Sequence, residues 1–297
     1  MENNLDDKAF IARWARWSTC SLCEQRYHGV VNCAVGWACW KTYVGRPEGN
    51  NLRCMAMGQL GNGLSDANYV EDALTVGEAQ LSVYQRFGAP EENILIVQGN
   101  LAGLYHALGW YEQSLRMRQD VYFGHLKLKD EEHFDTLREA NNYAVALLDL
   151  RRYTESKSVL HRTIPVARRV LSDSSNITLT MLCCYANALY KDPGATLNDL
   201  RDAVTSFEDS ERIARRVLGG AHPTTEWLGR DLQDARAALS AREGDDVSSL
   251  CEPLRGDERD GPGGCLNDTL VGTTPYGGSS ITRGASGARA SSRRATR

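Results

Sequence analysis

Cys20 and Cys23 stand at Cys-x-x-Cys spacing, the separation at which two thiolates reach one metal ion. His28, Cys33 and Cys39 follow closely enough to suggest a four-ligand zinc set. Structural zinc asks for two well-spaced pairs, however, and Cys33 falls on the apolar face of the next helix. The group reads as half a metal site or as ordinary buried thiols. Cys183-Cys184 reads as packing, since cysteine inside a helix behaves as a small apolar residue. The six histidines are dispersed, and none has a carboxylate at a telling spacing. There is no phosphate loop, no Gly-x-Ser-x-Gly and no His-Glu-x-x-His. Gly61-Asn62-Gly63 lacks both the preceding strand and the third glycine of a dinucleotide site. Nothing here makes an active site. The chain reads as a non-enzyme with no cofactor, apart from zinc at Cys20 and Cys23.

The bulk composition narrows the setting. The chain has 297 residues, 42% apolar and 24% charged, with a net charge of −4. That balance argues against electrostatic binding of nucleic acid. No apolar run reaches the length of a membrane span. The first residues are acidic and lack the pattern of a secretory signal. Nine cysteines without that signal should be reduced thiols or metal ligands. A cytoplasmic location is expected.

The elements that would position any site repeat along the chain. Asn100-Leu101-Ala102-Gly103-Leu104-Tyr105 with Trp110-Tyr111-Glu112-Gln113-Ser114 returns as Asn142-Tyr143-Ala144-Val145-Ala146-Leu147 with Arg152-Tyr153-Thr154-Glu155-Ser156. Ala102, Ala144 and Ala186 are 42 positions apart, as are Tyr111 and Tyr153, and a weaker copy lies upstream around Gly61 and Ala73. A fixed period of this size means stacked copies of one supersecondary unit. Each copy reads as two antiparallel helices. Gly61, Ala102, Ala144 and Ala186 are small in the first helix, and Ala73, Ser114, Ser156 and Ala203 in the second, so the axes can approach closely. Pro165 falls inside a helix predicted from about Thr154 to Val170 and should bend it. Pro193-Gly194 marks a longer, exposed turn in the last full copy.

Three parts follow: residues 1–46, a Cys-containing segment with an amphipathic helix; residues 47–239, the repeats; and residues 240–297, a Gly/Ser/Arg-rich stretch expected to be disordered. After Asp268 that stretch carries five arginines and no acidic residue, which reads as a solvated tail.

On these residues the repeats resemble tetratricopeptide repeats of the kinesin light chain type. The marks are the Asn-Leu-Ala and Asn-Tyr-Ala phrases, Leu108-Gly109-Trp110-Tyr111, and the connector Leu218-Gly219-Gly220-Ala221-His222-Pro223-Thr224-Thr225, with a degenerate copy around His133. The resemblance covers about residues 55–239 and implies an all-α, right-handed helical-hairpin solenoid of about four helix pairs. It also implies a scaffold that binds a peptide or protein partner in a concave groove, with no small-molecule substrate. His133 and His222 become cap or turn residues. The groove candidates are Asn100, His106, Arg138, Asn141, Asn142, Asn187 and Tyr190. Asparagine amides can both donate to and accept from an extended peptide backbone, but they can equally brace the neighbouring repeat.

The opening segment is similar to the end of a RING-variant (RING-CH) zinc domain. Trp17, then Cys20-Ser21-Leu22-Cys23-Glu24-Gln25-Arg26-Tyr27-His28-Gly29, then an amphipathic helix carry that likeness. It implies zinc at Cys20 and Cys23, and a ubiquitin ligase or an adaptor derived from one as the alternative function. No Cys or His precedes Cys20 to supply that domain's other ligands.

Overall fold

The computed structural model describes residues 7–251. They form α1 (Asp7–Ala15), α2 (Gly29–Tyr43), α3 (Asn51–Asp66), α4 (Val70–Phe87), α5 (Glu91–Ala107), α6 (Tyr111–Lys129), α7 (Phe134–Asp149), α8 (Tyr153–Leu171), α9 (Asn176–Tyr190), α10 (Leu197–Leu218) and α11 (Pro223–Cys251). Among the described residues there is no strand, only an isolated bridge between Thr19 and Arg26. From α2 onward each helix packs on the next in chain order, and α7, α9 and α11 also touch one another in succession. The expected four pairs are α3–α4, α5–α6, α7–α8 and α9–α10.

Local chemistry sets the helix ends. The Asn50 side chain accepts from Leu52 N at 3.1 Å, and Thr196 and Asp199 form a reciprocal capping box. His133 Nδ1 accepts from Asp135 N at 3.1 Å, and His222 Nδ1 accepts from Thr224 N at 3.2 Å. Both connector histidines therefore serve as caps, as the repeat pattern suggested. Within three successive pairs the turn places one residue in the left-handed region: Asn68 (φ 67°), Gly109 (φ 78°) and Arg151 (φ 58°). The N–H that follows each donates back to the carbonyl of Leu64, Tyr105 or Leu147 at 2.9, 2.8 and 2.8 Å. Arginine bears a Cβ penalty there that glycine avoids. Arg151→Gly is expected to stabilise the protein by about 1 kcal/mol in urea unfolding. An unchanged or lower midpoint would contradict that reading of the turn.

Small residues let the helices of a pair meet. Ala73, Ala102, Ala144, Ser156, Ala186 and Ala203 have no exposed surface. The two serines also bond across the crossing: Ser114 Oγ donates to Ala102 O at 2.8 Å, and Ser156 Oγ donates to Ala144 O at 3.1 Å. Gly61, in the weaker copy, is only half-buried, with the nearest neighbour of a Cβ there 3.7 Å away. Leu101, Leu137, Leu147, Leu160, Leu179, Met181 and Phe207 fill the space between pairs. α8 runs through Pro165 without a break, the proline standing exposed. The longer turn lies between Tyr190 and Leu197, where Asp192 accepts from Gly194 N at 3.0 Å and from Lys157 Nζ at 2.8 Å.

The N-terminal segment belongs to the same packed body. A Cβ at Gly36 would meet Gln59 O at 2.9 Å, and one at Gly63 would meet Asn32 O at 2.7 Å, so α2 and α3 cross backbone to backbone. Phe10, Trp14 and Trp17 gather around Tyr43, with Trp14 and Tyr43 ring centres 5.6 Å apart. A boundary at 46/47 thus falls between two helices that pack closely. At the other end α11 continues past residue 239 to Cys251. The expected disorder of the tail concerns residues that, from 252 on, lie outside those described.

Candidate peptide groove

The first helices of the pairs place their exposed faces along one side. A cavity of about 790 Å³ opens there, lined by α3, α5 and α7 with contributions from α4 and α6. Its floor is unusually bare: Gly58, Gly61, Gly99 and Gly103 all border it. Packing does not demand glycine at all of them. A Cβ at Gly99 would find its nearest neighbour at 3.8 Å, and at Gly103 only Arg118 Nη2 at 3.4 Å. Glycine in a helix interior costs roughly 1 kcal/mol against alanine, so the bare floor comes at the expense of stability.

Above that floor stand amides and charges. Asn62 and Asn100 border the cavity and are exposed; Asn142, half-buried, donates to Glu139 Oε2 at 3.1 Å. Glu139 is only 4% exposed and is held by Arg118 Nη1 at 3.4 Å and Arg138 Nε at 3.0 Å. Arg138 also reaches Asp135 at 2.9 Å. Burial pulls the Arg118 pKa down, and the Glu139 carboxylate opposes that pull. A smaller cavity of about 120 Å³ continues the groove past Gly103, His106, Asn142, Val145 and Asp149. There His106 Nε2 pairs with Asp149 Oδ2 at 2.9 Å, and its ring lies edge-on to Tyr111.

The expected groove residues divide accordingly. Asn100, Arg138 and Asn142 come together in the main cavity, and His106 joins Asn142 in the smaller one. Asn141 is half-buried and borders neither. Asn187 does not reach the groove: it is 5% exposed, and its Nδ2 donates to Asp231 Oδ2 of α11 at 2.8 Å and to Cys183 O at 3.0 Å. That is the bracing role. Tyr190 is half-buried against Phe207, ring centres 5.9 Å apart, and burial pushes its hydroxyl pKa well up. Cys183 and Cys184 are buried, which raises both thiol pKa values, Cys184 to about 12.

Two residues the sequence reading missed, Arg118 and Glu139, form the charged centre. A signal was present. One period later the same register positions hold Leu160 and Met181, both fully buried. A charge pair at positions that are apolar in the next copy marks a departure from pure packing.

The cysteine turn stands apart from the groove. Cys20 and Cys23 sit on a tight turn in which Cys20 N donates to Gln25 O and Glu24 N donates to Cys20 O, each at 2.9 Å. Backbone N–H groups of Cys23 and Leu22 lower the Cys20 thiol pKa. Cys33 and Cys39 are buried in the packing of α2, away from any shared site. Among the described residues no three His, Cys, Asp or Glu side chains converge as metal ligands.

No protein-family model and no characterised protein matches the chain in sequence. Solved structures do match in shape. A crystal structure from Podosopora anserina, described as a kinesin light chain with nearly identical TPR-like repeats, superposes with a TM-score of 0.54 at 18% identity, over 71% of this chain and all of that one. A second crystal structure bearing that description, of a single-substitution variant, gives 0.55 at 20% identity, over 68% and 93%. BtubC (BKLC) from P. vanneervenii gives 0.55 at 12% identity, over 80% and 98%. The chain therefore has the all-α, TPR-like helical-hairpin solenoid fold seen in these kinesin-light-chain-type repeat structures.

Proposed function

We propose that this chain is a protein-interaction scaffold of the kinesin-light-chain-like repeat kind, whose concave groove takes an extended segment of a peptide or protein partner. It does no chemistry of its own. The observation that carries this reading is the glycine floor at Gly99 and Gly103 beneath the amides of Asn100 and Asn142. A bare helix surface lets a peptide backbone come close, and neighbouring amides supply donors and acceptors for it. The charge pairs at Arg138 and Arg118 would orient the segment. The net charge of −4 favours a protein partner over nucleic acid, and a cytoplasmic setting suits the wealth of thiols.

The test starts from random peptides displayed on phage and selected on the full chain. Gly103→Leu fills the groove at a position where an added Cβ meets only Arg118 Nη2, at 3.4 Å. It is expected to weaken a selected peptide by at least roughly tenfold through direct clash, while the melting temperature holds or rises because leucine favours the helix over glycine. Selection of no peptide, or binding that ignores Gly103→Leu, would refute the groove reading.

A further inference from the structure

The N-terminal end of the array is closed differently from the C-terminal end. Repeat arrays need a polar outer face on their terminal helices. On α11 the exposed side chains include Arg230, Gln233, Asp234, Arg236 and Arg242. On α2 they are Val30, Val31, Ala34, Trp37, Ala38, Lys41 and Thr42. At 3.6 residues per turn these seven occupy one arc of about 140°, opposite the buried Cys33, Gly36, Cys39 and Tyr43. Val30 is 72% exposed, Val31 53% and Trp37 44%. From Gly29 through Trp40 there is no charged residue. Leu22, at the tip of the cysteine turn that leads into α2, is 93% exposed, and Ile11 on α1 is 65% exposed. None of these residues borders the groove cavities.

The stretch of sequence that carries this apolar face has a net charge of opposite sign to that of the whole chain, although Asp66 of α3 accepts from Gly29 N at 2.9 Å at the start of α2. Residues 9–46 carry Arg13, Arg16, Arg26, Lys41 and Arg46 against Glu24 alone, in a protein of net charge −4. Two copies meeting through this face would bring like charges together. An anionic surface would be attracted. The uncharged stretch of α2 is about 18 Å long at 1.5 Å per residue, far short of the roughly 30 Å needed to cross a bilayer. No helix among the described residues is long and apolar enough to span one. An apolar arc with a half-exposed tryptophan and a lysine within it can lie against a lipid headgroup layer while the opposite face of α2 stays packed in the protein.

We propose that the exposed face of α2 docks on a membrane surface rich in anionic lipid. Trp37, Val30 and Val31 enter the headgroup layer, and Lys41 reaches up to the phosphates. This leaves the groove open for a partner and does not depend on what the groove binds.

The experiment is co-sedimentation of the full chain with phosphatidylcholine vesicles, with and without phosphatidylserine. The C-terminal arginines can reach an anionic surface too, so the criterion is the effect of substitutions on α2. The double variant Val30→Asp with Trp37→Asp is expected to lower partitioning onto phosphatidylserine vesicles by at least roughly tenfold, and Lys41→Glu by several-fold. All three positions are exposed, and circular dichroism melting checks that the fold is kept. Pure phosphatidylcholine should bind far more weakly. Partitioning that is absent, or that neither variant changes, would overturn the proposal. So would a concentration-dependent dimer in sedimentation velocity, abolished by the double variant, in a chain that leaves the vesicles unbound.

Discussion

Ala144→Trp is expected to unfold the middle of the array. Ala144 has no exposed surface, and its carbonyl accepts from Ser156 Oγ at 3.1 Å where α7 crosses α8. An indole there must push the two helices apart, breaking that bond and opening the cluster that includes Leu147, Leu160 and Ala167. Overpacking a dense core costs a few kcal/mol even for added methylenes, and an indole in place of a methyl should cost at least about 3 kcal/mol. Because each pair is stabilised by its neighbours, α5–α6 and α9–α10 should lose order with α7–α8. Helical signal in circular dichroism should fall, with a broadened melt at lower temperature. A melt indistinguishable from that of the unsubstituted chain would mean the register is wrong.

The second large effect concerns the charged centre of the groove. Glu139→Ala removes the carboxylate that compensates Arg118, whose side chain is only 17% exposed. Breaking a buried pair from one side typically costs about 3–5 kcal/mol, since the remaining charge is left in a poor solvent. Replacing both partners is a different matter. Arg118→Leu with Glu139→Met installs the residue types that Leu160 and Met181 supply one period later, so the double variant should regain stability to within about 1 kcal/mol of the parent chain. Urea midpoints of Arg118→Leu, Glu139→Met and the double variant measure this cycle, with Glu139→Ala beside them. Equal stability of Glu139→Ala and the parent would show that the pair is not an electrostatic unit. If the double variant is stable but loses a selected peptide, the charges serve recognition more than folding.

Much of the fold could be read from the chain because the feature that repeats is the one that packing constrains. Two helix axes can approach only where side chains are small, so Ala102, Ala144 and Ala186 recur at 42 residues, as do Ser114 and Ser156. The connector histidines were legible only through the resemblance, which makes them cap or turn residues, and in the structure His133 Nδ1 and His222 Nδ1 each accept from the backbone N–H two residues on. The groove was legible only in part. Register says which face of a helix a residue occupies, but not what the rest of the chain lays over that face. Asn187 shares the register of Gly103 and Val145, yet α11 brings Asp231 against it and buries it. Arg118 reaches the groove from a second helix, whereas the register of the repeat points only to the exposed faces of first helices. The N-terminal segment was set apart from the repeats by its composition. The contact that joins them runs through Gly36 and Gly63, residues whose role depends on a backbone approach that no side-chain pattern records.

The central claim is that the side formed by α3, α5 and α7 receives a partner segment. Hydrogen–deuterium exchange of the full chain, with and without a peptide selected on it, measures this most directly. Slowed exchange should fall along α3, α5 and α7 around Asn62, Asn100 and Asn142, while the outer faces of α4, α6 and α8 keep their rates. Protection centred on α4, α6 and α8, or confined to α2, would contradict it.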